Sequence, residues 1–143
     1  MNHDLPNLYE LDLPIRKFVT KRLIGIDSNS TVKEAAQKMV EFNISSLAVI
    51  EDEEVIGYFT DGDIKRKVVA KGRTPDMPVT EIMNEELITA DITAKIRDVL
   101  ELMSKQNIKH ILVEERGKII GIMTLGDLLD LQRHSMETHI SRE

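Results

Sequence analysis

Two octapeptides bring together the residue types best suited to chemistry: Gly57-Tyr58-Phe59-Thr60-Asp61-Gly62-Asp63-Ile64, and Gly121-Ile122-Met123-Thr124-Leu125-Gly126-Asp127-Leu128. In each, a Thr precedes an Asp by three residues where a β-rich run gives way to a helix. One use of that spacing is a capping box, in which the Thr hydroxyl and the acid satisfy free N–H groups at the helix start. The other use is a ligand. A helix start presents unpaired N–H groups that suit a phosphate, and a carboxylate one turn in can accept both hydroxyls of a ribose. Gly62 and Gly126 remove a side chain between the two groups, which lets a ligand reach the backbone. The two uses are compatible, and the motif alone leaves both open. No Ser–His–acid set and no buried acid pair at a useful spacing accompanies it, so an enzyme is not expected.

The elements that must position these motifs are themselves duplicated. Shifting the chain by 64 residues sets Pro14–Lys67 over Pro78–Leu131 and matches 14 of 54 positions, among them Asp27/Asp91, Met39/Met103, Asn43/Asn107, Ile44/Ile108, Gly57/Gly121, Thr60/Thr124 and Asp63/Asp127. In Ser30–Phe42 the residues Val32, Ala35, Ala36, Met39 and Val40 recur with the spacing of one helix face, and Ile96, Val99, Leu100 and Met103 repeat that stripe. The methionines on these stripes read as core. Leu47–Ile50 and Val55–Thr60, separated by Glu51–Glu54, have the pattern of a hairpin; Ile111–Val113 and Lys118–Thr124, with Gly117 in the turn, are its counterpart. A second helix follows from Asp61 or Leu125, the first ending near Lys71–Gly72. Each half is therefore β-α-β-β-α, in an α+β chain. The spans are repeat 1 at 14–71, a linker at 72–77 and repeat 2 at 78–132, with an extended N-terminal arm at 1–13 and a C-terminal tail at 133–143. A unit of about 60 residues buries little surface alone, so the two are expected to pack face to face through their sheets with pseudo-twofold symmetry.

Composition narrows the functional classes. With no cysteine there is no disulfide, Cys-ligated zinc, iron–sulfur cluster or thiol nucleophile. The net charge of −6 and pI near 5.3 argue against non-specific binding to nucleic acid. The five aromatics, Tyr9, Phe18, Phe42, Tyr58 and Phe59, all precede residue 60, which leaves little for base stacking. A planar ligand would sit between aliphatic side chains instead. The longest apolar runs fall far short of the roughly 20 residues of a membrane span, so a soluble, cytoplasmic protein is expected.

The two halves resemble a tandem pair of CBS domains, a Bateman module, over roughly residues 14–132. The resemblance rests on Gly-h-h-Thr-x-x-Asp-h after the hairpin, the helix before it and the Asn-Ile pair before the middle strand, all present twice. Thr60-Asp61-Gly62-Asp63-Ile64 also resembles the CBS pairs appended to sugar-phosphate isomerases, whose catalytic domain is absent here. The resemblance implies a stand-alone regulatory module that binds an adenine nucleotide (AMP, ADP or ATP) in a cleft between repeats and signals to a regulated protein. No cofactor is implied as obligatory. One cleft would use Thr124 and Asp127 with Val19, Ile24, Ile44 and Ser45, its phosphates facing Lys109 and His110 and its adenine held between Ile24 and Ile44. The other would use Thr60 and Asp63 with Met83, Ile88, Ile108 and Lys109. The Asp127 cleft is favoured, because Lys109 and His110 stand where the first half has Ser45 and Ser46. Ala48 and Leu112 occupy positions where the family usually has Pro. Such modules commonly form flat dimers, so a homodimer is expected. The alternatives are an S-adenosylmethionine-type ligand, or a structural or dimerisation module whose motifs only cap helices.

The remaining candidates read as surface or are incomplete. The acidic turn Glu51–Glu54 reads as a hydrated hairpin tip. The strip Lys65, Arg66, Lys67, Lys71 and Arg73 reads as a solvated helix face. His134 and His139 lack metal-ligand spacing and a third ligand, so no metal site is expected.

Overall fold

The computed structural model describes residues 8–19 and 23–129. Its elements run α1 (Leu8–Leu11), a 3₁₀ turn (Ile15–Phe18), β1 (Gly25–Asp27), α2 (Val32–Phe42), β2 (Ser46–Glu51), β3 (Glu54–Thr60), α3 (Asp61–Ile64) with a π-helical extension (Lys65–Val69), a second 3₁₀ turn (Val79–Glu81), β4 (Thr89–Asp91), α4 (Ile96–Gln106), β5 (His110–Glu115), β6 (Lys118–Thr124) and α5 (Leu125–Leu129). The expected β-α-β-β-α order holds in both halves. Each forms a three-stranded sheet, β1-β2-β3 and β4-β5-β6, whose first pair is parallel and second antiparallel.

Local chemistry accounts for many of the repeated residues. Asp27 accepts the Asn29 N–H at 2.8 Å, and Asp91 accepts the Thr93 N–H at 3.0 Å, so each acid closes the turn from strand to helix. Thr31 and Glu34 form a capping box on α2. Asn43 and Asn107 end α2 and α4 in the left-handed conformation, φ 52 and 53. Behind them Ile44 N–H donates to Met39 O and Ile108 N–H to Met103 O, both at 3.0 Å. This is the Schellman ending, in which an Asn tolerates positive φ and the next apolar residue folds back on the helix. The Asn-Ile pair is thus a helix stop. Gly72, φ 67, ends the π-helical segment in the same way, with Arg73 N–H on Val68 O at 3.0 Å.

Residues 8–13 differ from the expected extended arm. They contain α1, Leu11 packs on a core with Ile15, Ile96, Val99 and Met103, and Leu13 O accepts the Ile96 N–H at 3.0 Å. That bond, with Ile15 N–H on Ala94 O at 2.8 Å, closes the start of α4, where Lys95 supplies no side-chain cap. In the other half Met77 O accepts from Val32 N–H and Val79 N–H donates to Ser30 O, each at 2.9 Å. The compact units are accordingly cut differently from the sequence repeats. One comprises Leu23–Leu87; the other, among the described residues, joins 8–19 to 88–129. Residues 1–7 of the arm and the whole 133–143 tail, with His134 and His139, lie outside the described residues. Among the described residues no helix is long and apolar enough to cross a membrane.

Both hairpins turn on two residues at positive φ, Asp52 and Glu53 (51 and 67) in one and Arg116 and Gly117 (53 and 80) in the other. A Cβ in that region costs about 1 kcal/mol, and the first turn also crowds carboxylates together. Glu53→Gly is therefore expected to raise stability by about 1 kcal/mol in urea unfolding, with Glu53→Val moving the midpoint the other way.

Candidate functional site

The two Thr-x-Gly-Asp motifs share one backbone geometry. Thr60 starts α3 with a capping box: its hydroxyl accepts the Asp63 N–H at 3.2 Å and Asp63 Oδ2 accepts the Thr60 N–H at 2.9 Å. Thr124 and Asp127 repeat both bonds at 2.9 and 3.1 Å. Beside each motif the strand before the helix is anchored in the same way, Asp61 N–H on Ser45 O at 3.0 Å and Leu125 N–H on Lys109 O at 2.8 Å. The capping reading thus holds for both.

Beyond the cap the motifs diverge. Asp63 is 4% exposed. Its Oδ2 also accepts from Asn84 Nδ2 at 3.0 Å and from the Thr60 hydroxyl at 3.2 Å, while Oδ1 meets Arg66 Nη2 at 3.3 Å and Lys67 Nζ at 3.4 Å. Burial pushes the Asp63 carboxyl upward; the Thr60 N–H, the Lys67 ammonium and the Asn84 amide outweigh it and hold the group below the usual carboxylate range. Asp127 is exposed, and Thr124 supplies both of its capping bonds.

The glycines differ correspondingly. A Cβ at Gly62 would come 2.9 Å from Arg66 Nη1, so the guanidinium fills the space that was expected to admit a ligand. At Gly126 the contact among the described residues is Thr124 Oγ1 at 3.7 Å, an ordinary van der Waals distance. Gly57 has another task. Residues Met83 and Asn84 lie against β3, with Asn84 N–H on Tyr58 O at 2.7 Å, and a Cβ at Gly57 would sit 2.6 Å from Met83 Sδ.

The expected site residues distribute over both units. Val19, Ile88, Ile108, Lys109, His110, Thr124 and Asp127 belong to one; Ile24, Ile44, Ser45, Thr60, Asp63 and Met83 belong to the other. Within the first, Lys109 is exposed beside α5, and half-buried His110 opens β5 opposite Thr124. Val19, Ile88 and Ile108 pack on that unit's core, as Ile24, Ile44 and Met83 pack on the core of theirs. At the positions where Pro was expected, Ala48 and Leu112 donate N–H to Ile24 O at 3.3 Å and Ile88 O at 3.2 Å, engaging carbonyls that a Pro would leave open.

Three residues escaped the sequence reading. Arg66 and Lys67 were assigned to a solvated strip, yet both bind Asp63; of the same strip Arg73 pairs with Glu81 at 2.9 Å. Asn84 carried no motif. A signal was available in the repeat offset itself: 64 residues away, Asn84, Arg66 and Lys67 correspond to Thr20, Asp130 and Leu131, which cannot supply an amide and two cations. Among the described residues no group of three or more His, Asp or Glu is placed to hold a metal ion.

Two outcomes follow from the divergence. Asp63→Ala, which strands partly exposed cations and removes a cap, is expected to cost about 2–3 kcal/mol in urea unfolding, against about 1 kcal/mol for Asp127→Ala. Because folding lowers the Asp63 pKa, its contribution is complete above about pH 4 and is lost as the pH falls through the lowered value. Asp63→Asn should therefore flatten the loss of stability below pH 4, read from thermal melts across pH 2–6.

A model of the CBS domain family matches residues 15–70 and 79–134. The CBS domain-containing protein YhcV of Bacillus subtilis is 30% identical over 114 residues, covering 80% of this chain and 81% of YhcV. An uncharacterized conserved protein of Pyrococcus horikoshii, known from its crystal structure, matches with a TM-score of 0.82 at 45% identity, over 86% of this chain and 94% of that one. The CBS domain protein PAE2072 of Pyrobaculum aerophilum, solved complexed with AMP, has the same fold at a TM-score of 0.75 and 18% identity, over 92% of this chain and 100% of that one. With both repeats matched and the motif geometry duplicated, the chain belongs to the CBS domain family and carries two such domains in tandem.

Proposed function

We propose that the protein is a regulatory module that binds an adenine nucleotide through the Thr124–Asp127 motif and passes its occupancy to a partner protein. One observation carries the reading: Asp127 holds the capping geometry of its twin, yet its carboxylate is exposed where that of Asp63 is buried. An exposed carboxylate next to a fixed backbone can accept the two hydroxyls of a ribose without first breaking an ion pair. Lys109 offers a cation for a phosphate and Val19 an apolar surface for the base. The AMP complex of PAE2072, a protein of the same fold, supports the choice of ligand class. Regulation works by population shift: the nucleotide favours one conformation, and a surface read by the partner changes with it. No catalytic step is assigned to the chain.

The module is further proposed to act as a homodimer. Val40 and Val69 are 82% and 69% exposed on the helices of the 23–87 unit, with Phe42 at the end of α2. At the positions equivalent to Val40 and Phe42 the second repeat has Ser104 and Gln106, so the apolar surface belongs to one repeat.

Calorimetric titration with AMP, ADP, ATP and S-adenosylmethionine tests the ligand. Binding of an adenine nucleotide at micromolar strength is expected, weakened at least tenfold by Asp127→Ala. No binding below millimolar, together with an Asp127→Ala variant that responds like the parent, would leave the structural-module reading in its place. Native mass spectrometry is expected to show a dimer that Val40→Glu converts to monomer.

A further inference from the structure

We infer that the Thr60–Asp63 motif is self-liganded: Arg66, Lys67 and Asn84 fill it with the chain's own donors, so each chain offers one receptive motif, at Thr124–Asp127. The inference deepens the nucleotide reading and rests on it for the identity of the ligand, although the occupancy of Asp63 stands by itself.

A ribose binds a carboxylate by donating two hydroxyl hydrogen bonds. The two oxygens of Asp63 already accept hydrogen bonds from the Thr60 N–H and hydroxyl, the Asn84 amide and Arg66, about as many as their lone pairs allow, and Oδ1 is also ion-paired with the Lys67 ammonium. The donors are themselves held. Lys67 Nζ also donates to Ile82 O at 2.9 Å and contacts Asn84 Oδ1 at 3.5 Å, and Asn84 Nδ2 also donates to Tyr58 O at 3.2 Å. Asn84 is fixed further by its backbone pairing with Tyr58, at 2.7 and 3.1 Å. A ligand entering here would have to displace an ammonium bonded to two other groups and an amide bonded to a strand edge. Arg66 adds bulk as well as charge, because its guanidinium lies in the space beside Gly62. The cost of stripping these charge-assisted partners from a buried carboxylate works against any ribose that would replace them.

The second repeat differs in the residues that matter. Its equivalents of Lys67 and Asn84 are Leu131 and Thr20, and the equivalent of Arg66 is the acid Asp130. The duplicated motif has therefore divided its labour: the first copy contributes stability, and the second is left to bind.

The test counts AMP on the full chain by native mass spectrometry and calorimetry. One AMP per chain is expected; Asp63→Asn keeps that one within twofold of the parental affinity, whereas Asp127→Asn weakens it at least tenfold. The double variant Lys67→Leu/Asn84→Thr, which places two of the second repeat's residues beside Asp63 and leaves only the exposed Arg66 to move aside, is expected to take up a second AMP. Two AMP per parental chain, one of them removed by Asp63→Asn, would overturn the inference and leave the nucleotide reading intact. A folded double variant that still holds one AMP would also overturn it. If AMP binds to neither motif, the nucleotide reading fails, and the self-liganding is decided by a double-mutant cycle between Asp63→Ala and Lys67→Ala in urea. A several-fold coupling in the unfolding constant upholds it, and additivity refutes it.

Discussion

The structure depends on how each α2-type helix is started. A helix leaves its first N–H groups without partners, and here distant backbone supplies them: Met77 O for Val32 and Leu13 O for Ile96. The Pro that follows each accepting carbonyl, Pro14 or Pro78, bridges to the residue before the helix, Lys95 or Thr31. Because of this exchange a sequence repeat and a compact unit are different objects. Each compact unit is completed by a segment that the repeat pattern assigns to the other half, and Ile15 and Val79 are wholly buried in those units.

With the helix starts closed in this way, the strand ends and the Thr-x-Gly-Asp motifs fall at equivalent places in both units. Most of the duplicated residues then have local work: Asp27 and Asp91 close turns, Asn43 and Asn107 stop helices, and Thr60 and Thr124 begin them. A duplicated fold duplicates such residues whatever it binds. Function is to be sought where equal backbone geometry carries unequal side-chain surroundings, and Asp63 against Asp127 is that case.

Much of this was legible in the residues. The stripes of Val32, Ala35 and Met39 and of Ile96, Val99 and Met103 are buried, the hairpins lie within a residue or two of their β-rich runs, and the caps are where Thr and Asp stand three apart. The exchange of Leu13 and Met77 was not legible, because main-chain hydrogen bonds between distant segments leave no trace in side-chain periodicity. Asn84 and Lys67 were missed for a related reason: a lone amide and a lysine in a basic run look solvated until an edge strand and a helix start bring them to the same carboxylate. Asp127 was favoured for its neighbours Lys109 and His110, whereas the stronger distinction lies in what Asp63 already holds.

The placement of residues 8–19 with 88–129 bears on synthesis from the ribosome. The 23–87 unit is contiguous, so all its parts are present once residue 87 has emerged. Leu11, Ile15 and Phe18 emerge earlier, yet their core of Ile96, Val99 and Met103 comes last. For that interval the nascent N-terminus displays apolar side chains with nowhere of their own to go, and closing roughly 70 residues of chain is the step that finally buries them.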